Sequence, residues 1–555
     1  MIERSAFLPD ARKLYAALAV FVAVLWLAIL PTRPLFNPDE GRYAEIPREM
    51  LASGDWVIPH LNGLAYIEKP PLQYWATALS LQLFGPTAFA ARLYTALTAI
   101  GALLAVWLVA RRLWSGGAAW RTAAVLASLS LFPVIGQLLS LDMSLTFFMT
   151  VALGAFLSAQ SCRPAEARSY LLIAWAATAC GVLTKGLVAA AIPAAVLILY
   201  SALARDGSPW RRLNLRYGLP LFLLISVPWY WLAARRLPDF LEFFFVHEHF
   251  ARYLTNSADR EQAWWFFGPV FIVGSLPWTF AALRVLATGW RRQAPAGEFD
   301  AQLFLWIWVV FVLGFFSLSD SKLIPYVLPA LPALALLIGG SPLSVLRRDV
   351  LVAAALVLLL GIAAGAASFH LPELIAPSDR SAYFISLAQP LRRVAAVLAV
   401  SALFVLARRD RDPTGGAVLL GVGWCIALLL LVRAAAAVAP IYSGAGLAQA
   451  LAREPRDSVV YSVGTYDQTL PFYLGRTVAL VNYRGELDYG LRHLAAADPD
   501  AQAGYGSIDE FLEHWSSAGK AYAVMDTEMV DPMSARGMQM RILSRDAQRV
   551  LVARH

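Results

Sequence analysis

Apolar residues fall in blocks of about 20, the length one helix needs to cross a bilayer, and short basic or Gly/Pro-rich breaks separate them. The first block covers 14–30. Others lie near 88–110, 119–139, 143–161, 169–184, 187–204, 217–235, 264–286, 302–318, 323–340, 349–368, 389–407 and 415–433. This spacing predicts about 13 membrane spans. Of 555 residues, 59% are hydrophobic and 15% charged. A soluble chain carries about 25% charged residues, and soluble cores stop growing near about 250–300 residues. A single water-soluble domain is therefore excluded. The first block follows Arg12 and Lys13 as a signal peptide would, but Leu30-Pro31-Thr32-Arg33 is a poor cleavage site. It is expected to remain as an uncleaved helix with the N-terminus inside.

The net charge of +8 has a topological explanation, because Arg and Lys collect in cytoplasmic loops. With the N-terminus inside, the inside loops hold Arg111, Arg112 and Arg121; Arg163 and Arg168; Arg205, Arg211, Arg212 and Arg216; Arg291 and Arg292; Arg347 and Arg348; and Arg408, Arg409 and Arg411. Every second loop is basic. The outer face then receives loop 31–87, the bends near Asp142 and Lys185, 236–263, 318–323, 369–388 and the chain after about 434. Asp39, Glu40, Glu68, Asp142, His247 and His249 all fall on that face. Cys162, Cys180 and Cys425 have neither metal-site nor disulfide spacing. Neither a nucleic-acid binder nor a disulfide scaffold is indicated.

Beyond about 440 the apolar runs shorten to strand length, at 459–463, 478–481, 521–525 and 550–553, with helical stretches at 469–474 and 508–517 between them. That alternation predicts a small α/β domain. The expected division is a membrane domain over 1–438 and a periplasmic domain over 439–555.

The candidate chemistry begins in the first outer loop. Asn37-Pro38-Asp39-Glu40 reads as a helix start, with Asn37 as N-cap, Pro38 at the first helical position and Glu40 in a capping box. Helical spacing puts Asp39, Arg42, Tyr43 and Ile46 on one face. Further on, Tyr66-Ile67-Glu68-Lys69-Pro70-Pro71-Leu72 leads into a helix near 72–83. Lys69 thus stands where an ammonium and a helix dipole would draw a phosphate, or where a lysine would merely snorkel. Asp142 sits at a bend and could cap the next helix. His247-Glu248-His249 could form part of a metal site with Glu68, or hydrogen-bond loop carbonyls. Lys185, Lys322 and Tyr326 add cations and a phenol to the same face, although Lys322 could simply pair with Asp320.

Three segments, Asn37-Pro38-Asp39-Glu40-Gly41-Arg42-Tyr43, Glu68-Lys69-Pro70-Pro71-Leu72 and Leu183-Thr184-Lys185-Gly186, together resemble the protein O-mannosyltransferase type of membrane glycosyltransferase, the GT-C fold. Within that superfamily the chain looks like the bacterial aminoarabinose transferases that modify lipid A. The resemblance implies a polytopic α-helical protein with about 13 spans, amphipathic juxtamembrane helices in the first periplasmic loop and a C-terminal α/β domain. It implies a sugar donor carried on undecaprenyl phosphate and a lipid A phosphate as acceptor. Asp39 and Asp142 would be catalytic. Arg42, Tyr43, Tyr66, Lys69, Lys185, Arg252, Lys322 and Tyr326 would bind the donor's phosphate and lipid. Glu68 and His249 are the candidates for a divalent metal such as zinc. A monomer in the inner membrane is expected.

Two other functions fit parts of the pattern. A sibling transferase would use a related lipid-linked sugar on protein, glycan or another lipid. A transporter or flippase would also have many spans, but transporters place ionisable groups near the bilayer midplane, whereas these acids gather at one interface.

Overall fold

The computed structural model describes residues 9–251, 262–295, 298–378, 380–409, 411–455, 458–497, 506–517 and 519–554. The chain is a multi-pass helical membrane protein with a C-terminal mixed sheet. Among the described residues, nine helices are long and apolar enough to span a bilayer, or ten if the bent pair Phe267–Gly274 and Thr279–Thr288 is one span. Helices also occupy the other expected blocks, but they are short. Block 119–139 divides into α5, Gly116–Ser128, and a five-residue helix Leu131–Ile135. Val188–Ala204 has 17 residues. Block 323–340 begins as a 3-10 turn, Ile324–Ala330, before Leu331–Gly339. The expectation of about 13 full spans is not matched one for one, because hydropathy registers apolar length and not the breaks at Ser130 and the Pro325–Pro332 stretch.

Two compact units emerge. The first comprises 1–29, 95–370 and 389–432, and the second 30–94, 371–388 and 433–555. The C-terminal domain thus shares its unit with the first loop, a grouping different from the linear division at 438/439. In the first unit, helix Leu141–Gln160 packs along Pro164–Lys185. Small residues let other helices approach this pair closely: a Cβ on Gly154 would meet Val109 Cγ2 of Ala88–Leu113 at 2.7 Å, and one on Gly181 would meet Ala189 Cβ of Val188–Ala204 at 2.9 Å.

In the second unit, helix α2 covers Asp39–Ser53 and α3 covers Leu72–Phe84. The latter starts where the Pro70-Pro71 pair predicts. Between them, β1 (His60–Leu61) and β2 (Leu64–Ala65) form a hairpin turned by Asn62 and Gly63, both at positive φ. Glu49 of α2 holds this turn by accepting the Asn62 and Gly63 N–H groups at 2.6 and 2.9 Å. Burial and the neighbouring Glu45 push the Glu49 carboxyl up to about 8. The C-terminal sheet has the order β4-β3-β5-β7-β6. Its strands are β3 Val459–Val463, β4 Ala479–Val481, β5 Ala521–Asp526, β6 Met540–Arg545 and β7 Arg549–Arg554. β3 runs parallel to β4 and β5, while β7 runs antiparallel to β5 and β6. Val463, Ala523, Met525, Val550 and Val552 pack beneath Phe511 and Trp515 of helix Ile508–Ser517.

The start of α2 corrects the expected cap. Asn37 Oδ1 accepts the Thr469 N–H at 3.1 Å and does not cap the helix. Glu40 does more than close a capping box, although one oxygen does accept the Phe36 N–H at 3.0 Å. Its buried carboxylate lies between two buried guanidiniums, 2.6 Å from Arg33 Nη1 and 2.7 Å from Arg92 Nε. Arg92 also donates to the carbonyls of Leu30, Arg33 and Pro34 at 2.7–2.9 Å. Burial disfavours the Glu40 charge, but Arg92 and Arg33 outweigh it and hold the carboxyl far below the usual range. Glu40→Ala would leave two uncompensated buried cations, an expected loss of about 3–5 kcal/mol. Because the folded pKa is depressed, the ionised carboxylate contributes fully above the unfolded value of about 4.3 and the contribution fades as pH falls below it. Thermal unfolding of the purified protein at pH 7 and at pH 4 checks this. The gap between wild type and Glu40→Ala should narrow at the lower pH.

Candidate functional site

Anchoring of Glu40 fixes the first turn of α2 and leaves its neighbour, Asp39, facing outward with 56% of its side chain exposed. One turn on, Arg42 is buried. Its Nη1 lies 3.3 Å from Asp39 Oδ1 and its Nη2 lies 3.2 Å from Glu486 Oε1. Gln468 and Tyr483 donate to the same Glu486 carboxylate at 2.8 and 3.1 Å. Burial opposes ionisation of Glu486, but Arg42 and these two donors hold its carboxyl below the usual value. The α2 backbone can approach this segment because residue 41 is glycine: a Cβ there would come within 2.5 Å of the Gln468 carbonyl carbon.

Aromatic rings surround the guanidinium. Arg42 Cζ lies 5.8 Å from the Tyr43 ring centroid and 6.0 Å from that of Tyr66, and Tyr43 lies 6.2 Å from Tyr74. Three polar atoms in this cluster, Arg42 Nε, Tyr66 Oη and Tyr74 Oη, are buried without a hydrogen-bond partner among the described residues. Burial pushes both phenols well above their ordinary value, so they remain neutral hydrogen-bonding groups. Buried polar groups are nearly always satisfied, and each orphan costs about 1–3 kcal/mol. Three together leave hydrogen-bonding capacity for a polar ligand.

Glu68 acts electrostatically on both Tyr66 and Tyr74. Lys69 donates to the Glu68 carbonyl at 2.9 Å, and its ammonium lies 3.9 Å from Glu68 Oε2. The second unit therefore brings Asp39, Arg42, Tyr43, Tyr66, Glu68 and Lys69 into one network. It adds Tyr74 and Glu486, which the sequence expectation omitted. Tyr74 lies one turn into the helix after Lys69-Pro70-Pro71, a position from which it could have been found. Nothing local to Glu486 advertises its link to residue 42.

The first unit holds a second cluster. Ser140 caps helix Leu141–Gln160 by accepting the Asp142 N–H at 3.1 Å, so Asp142 is not itself the cap. The Asp142 carboxylate pairs with Lys185 at the end of helix Pro164–Lys185. The Lys185 ammonium sits 4.7 Å from the Tyr326 ring centroid. A carboxylate at a helix N-terminus and an ammonium at a helix C-terminus are each favoured by the local dipole, so the pair needs no deep burial to form. Lys322 does not use Asp320 as its partner here: it is buried and donates to the carbonyls of Gln262, at 2.9 Å, and Ser319.

The expected metal pair, Glu68 with His249, lies partly outside the described residues. Among the described residues, no three of His, Cys, Asp and Glu gather as a metal site would require. Glu68 has an ammonium beside it. The side chains of His247 and His249, and Arg252 entirely, lie outside the described residues.

The network can be set against known proteins. A family model described as dolichyl-phosphate-mannose-protein mannosyltransferase matches residues 13–244, and one described as the aminoarabinose transferase C-terminal domain matches 447–554. An undecaprenyl phosphate-α-4-amino-4-deoxy-L-arabinose arabinosyl transferase of Aeromonas salmonicida is 37% identical over 344 residues, 60% of each chain. A Pseudomonas fluorescens protein described likewise is 36% identical over 372 residues, 64% of this chain and 61% of its own. The matched stretch thus spans about 60% of those relatives' length. Similarity to a crystal structure is more extensive. ArnT of Cupriavidus metallidurans bound to undecaprenyl phosphate superposes with a TM-score of 0.88 at 31% identity, covering 99% of this chain and 98% of that one. An Archaeoglobus fulgidus oligosaccharyltransferase, at 13% identity and a TM-score of 0.51 over 93% of this chain and 70% of its own, shares the fold alone.

Removing an unsatisfied hydroxyl should not cost stability. Tyr66→Phe is expected to leave the ligand-free thermal midpoint of the purified protein unchanged or higher. A lower ligand-free midpoint would make the hydroxyl a structural group.

Proposed function

This chain belongs to the aminoarabinose transferase family of GT-C membrane glycosyltransferases, and we propose that it transfers 4-amino-4-deoxy-L-arabinose from undecaprenyl phosphate to a phosphate of lipid A. The reaction is placed at the periplasmic face of the bacterial inner membrane, with the N-terminus cytoplasmic and the C-terminal domain periplasmic. The observation that carries this proposal is the first turn of α2, where an exposed carboxylate, Asp39, adjoins a buried guanidinium whose Nε, like the Tyr66 and Tyr74 hydroxyls, has no hydrogen-bond partner among the described residues.

In the proposed reaction the anomeric C–O bond to the donor phosphate breaks while an acceptor oxygen bonds to the same carbon. The undecaprenyl phosphate leaves with the bonding electron pair. Charge grows on the departing phosphate, so fixed donors aimed at it lower the barrier. The proposal gives that task to the Lys69 ammonium, the Arg42 Nε–H and the hydroxyls of Tyr66 and Tyr74. Tyr43 supports Arg42 through its ring. The sugar becomes cationic as the bond breaks and also carries an amine, and Asp39 supplies the balancing negative charge. Lys185, Lys322 and Tyr326 of the first unit are proposed as contacts of the donor lipid phosphate in their own right, as is Arg252. Asp142, already paired with Lys185, acts as its positioning residue.

A lipid A phosphate has a second pKa of about 6 and is already largely ionised near neutrality, so a strong base is unnecessary. Asp39→Asn is therefore expected to lower transfer by about tenfold or less, short of the 10²–10⁴-fold typical of a missing general base. Mass spectrometry of lipid A tests the whole scheme in cells with the gene, without it and with Asp39→Asn. An aminopentose increment that depends on the gene supports it. An unchanged lipid A accompanied by glycosylation elsewhere assigns the sibling activity, and a thousandfold loss in Asp39→Asn assigns base catalysis on a hydroxyl acceptor.

A divalent cation such as zinc at Glu68 and His249 is a separate proposal. If it holds, EDTA removes one equivalent of metal from the purified protein, measured by elemental analysis, and Glu68→Gln lowers that content. Full metal content in Glu68→Gln would remove Glu68 from the assignment.

A further inference from the structure

The first unit contains an apolar groove that the proposed reaction does not use. Its volume is about 480 Å³, and its walls come from α1 (Pro9–Ile29), α4 (Ala88–Leu113), α5 and the helix Pro413–Ala434. No lining residue is charged. The size falls within the about 300–1,000 Å³ typical of small-ligand pockets.

The two ends of the groove differ. At one end Tyr15, Trp107 and Trp120 cluster, with ring centroids 5.7 Å apart for Trp107 and Trp120 and 6.1 Å apart for Tyr15 and Trp120. Toward the other end lies Trp26. The eleven residues from Tyr15 to Trp26 place them roughly 16 Å apart along α1, about half of a hydrocarbon core of about 30 Å. The groove is thus one leaflet deep. Its aromatic end has the character of a bilayer interface, where Trp and Tyr concentrate.

Basic residues flank the aromatic end along the chain. Arg12 and Lys13 stand just before Tyr15. Arg111 follows Trp107 by one turn, with its guanidinium 5.2 Å from the ring centroid. Arg411 stands two residues before the helix Pro413–Ala434, and all four side chains are exposed. Asp412 also lies at this end, its Oδ2 accepting from Tyr15 Oη at 3.2 Å. Arg112 pairs with Glu166 at 2.9 Å.

We propose that this groove binds one acyl chain of an anionic phospholipid, with the lipid phosphate held at the basic end. An apolar channel open to a bilayer is a natural seat for a hydrocarbon chain, and the cations at one end select the headgroup. Basic pockets between spanning helices bind anionic headgroups on this principle. Each Lys or Arg near such a headgroup tightens binding by about fivefold. The site stands whichever way the chain is oriented. Only the name of the leaflet, cytoplasmic, depends on the proposed topology.

Native mass spectrometry of the full-length protein tests the proposal, with phosphatidylglycerol and phosphatidylethanolamine of equal chain length supplied together after delipidation. One phosphatidylglycerol should be retained in preference to phosphatidylethanolamine. Arg111→Gln should reduce that preference by about fivefold, and Ala123→Phe, which fills the groove, should abolish it. Ala19→Phe on the opposite wall repeats the test should Ala123→Phe fail to fold. Equal retention of the two lipids, or a preference that survives both fillings, overturns the proposal. So does competition by undecaprenyl phosphate for the retained phosphatidylglycerol that both fillings remove, which would make the groove part of the donor site. Lipid A glycosylation is measured separately, so loss of the adduct with transfer intact separates this site from the catalytic one.

Discussion

A single buried carboxylate, Glu40, organises the entrance to the chemistry. Two guanidiniums grip it, and one of them, Arg92, also gathers the carbonyls of Leu30, Arg33 and Pro34. Those carbonyls belong to the segment where the chain leaves its first helix, a place where backbone acceptors would otherwise lack partners. The arrangement turns a flexible exit into a fixed platform. Breaking it leaves two buried cations uncompensated at once, which is why removing one member of an ion triad is costly even though apolar replacement of a whole triad is often neutral.

Fixing Glu40 determines what its neighbours can do. Asp39 points outward because the next residue points in, and Arg42 follows at helical spacing on the face that Glu486 covers. Glu486 and Asp39 partly neutralise Arg42, so the guanidinium is held in place without being extinguished as a donor. Around it stand neutral phenols whose hydroxyls find no partner among the described residues. Such preorganised dipoles stabilise developing charge with little reorganisation, a sensible arrangement for a reaction whose leaving group is an anion on a membrane-bound tail.

Local patterns made much of this legible. Asp39, Arg42 and Tyr43 were visible as one helix face, the Pro70-Pro71 pair marked the start of α3, and the short apolar runs of the tail marked β3, β4, β5 and β7. The hairpin over β1 and β2 could also have been found, because Asn62-Gly63 is a strong turn signal. What stayed hidden depended on partners distant in sequence. Glu40 looked like a capping residue until Arg92 arrived from 52 positions away. Asp142 and Lys185 were separate candidates until two adjacent helices paired them across 43 positions. Lys322 looked like a partner for Asp320, yet carbonyl oxygens claim it. Full-length spans do not match the count one for one for a different reason: hydropathy does not register the prolines and bends that shorten a helix.

The link between Arg42 and Glu486 crosses 444 positions of sequence. At about 5–20 residues per second of synthesis, the acid emerges roughly 20–90 s after the guanidinium it steadies. A nascent chain would therefore insert its early helices while Asp39 and Arg42 still lack their counter-ion. The bonding pattern couples the finishing of the polypeptide to the finishing of its polar cluster, so translation that stops short leaves a protein threaded through the bilayer but chemically incomplete.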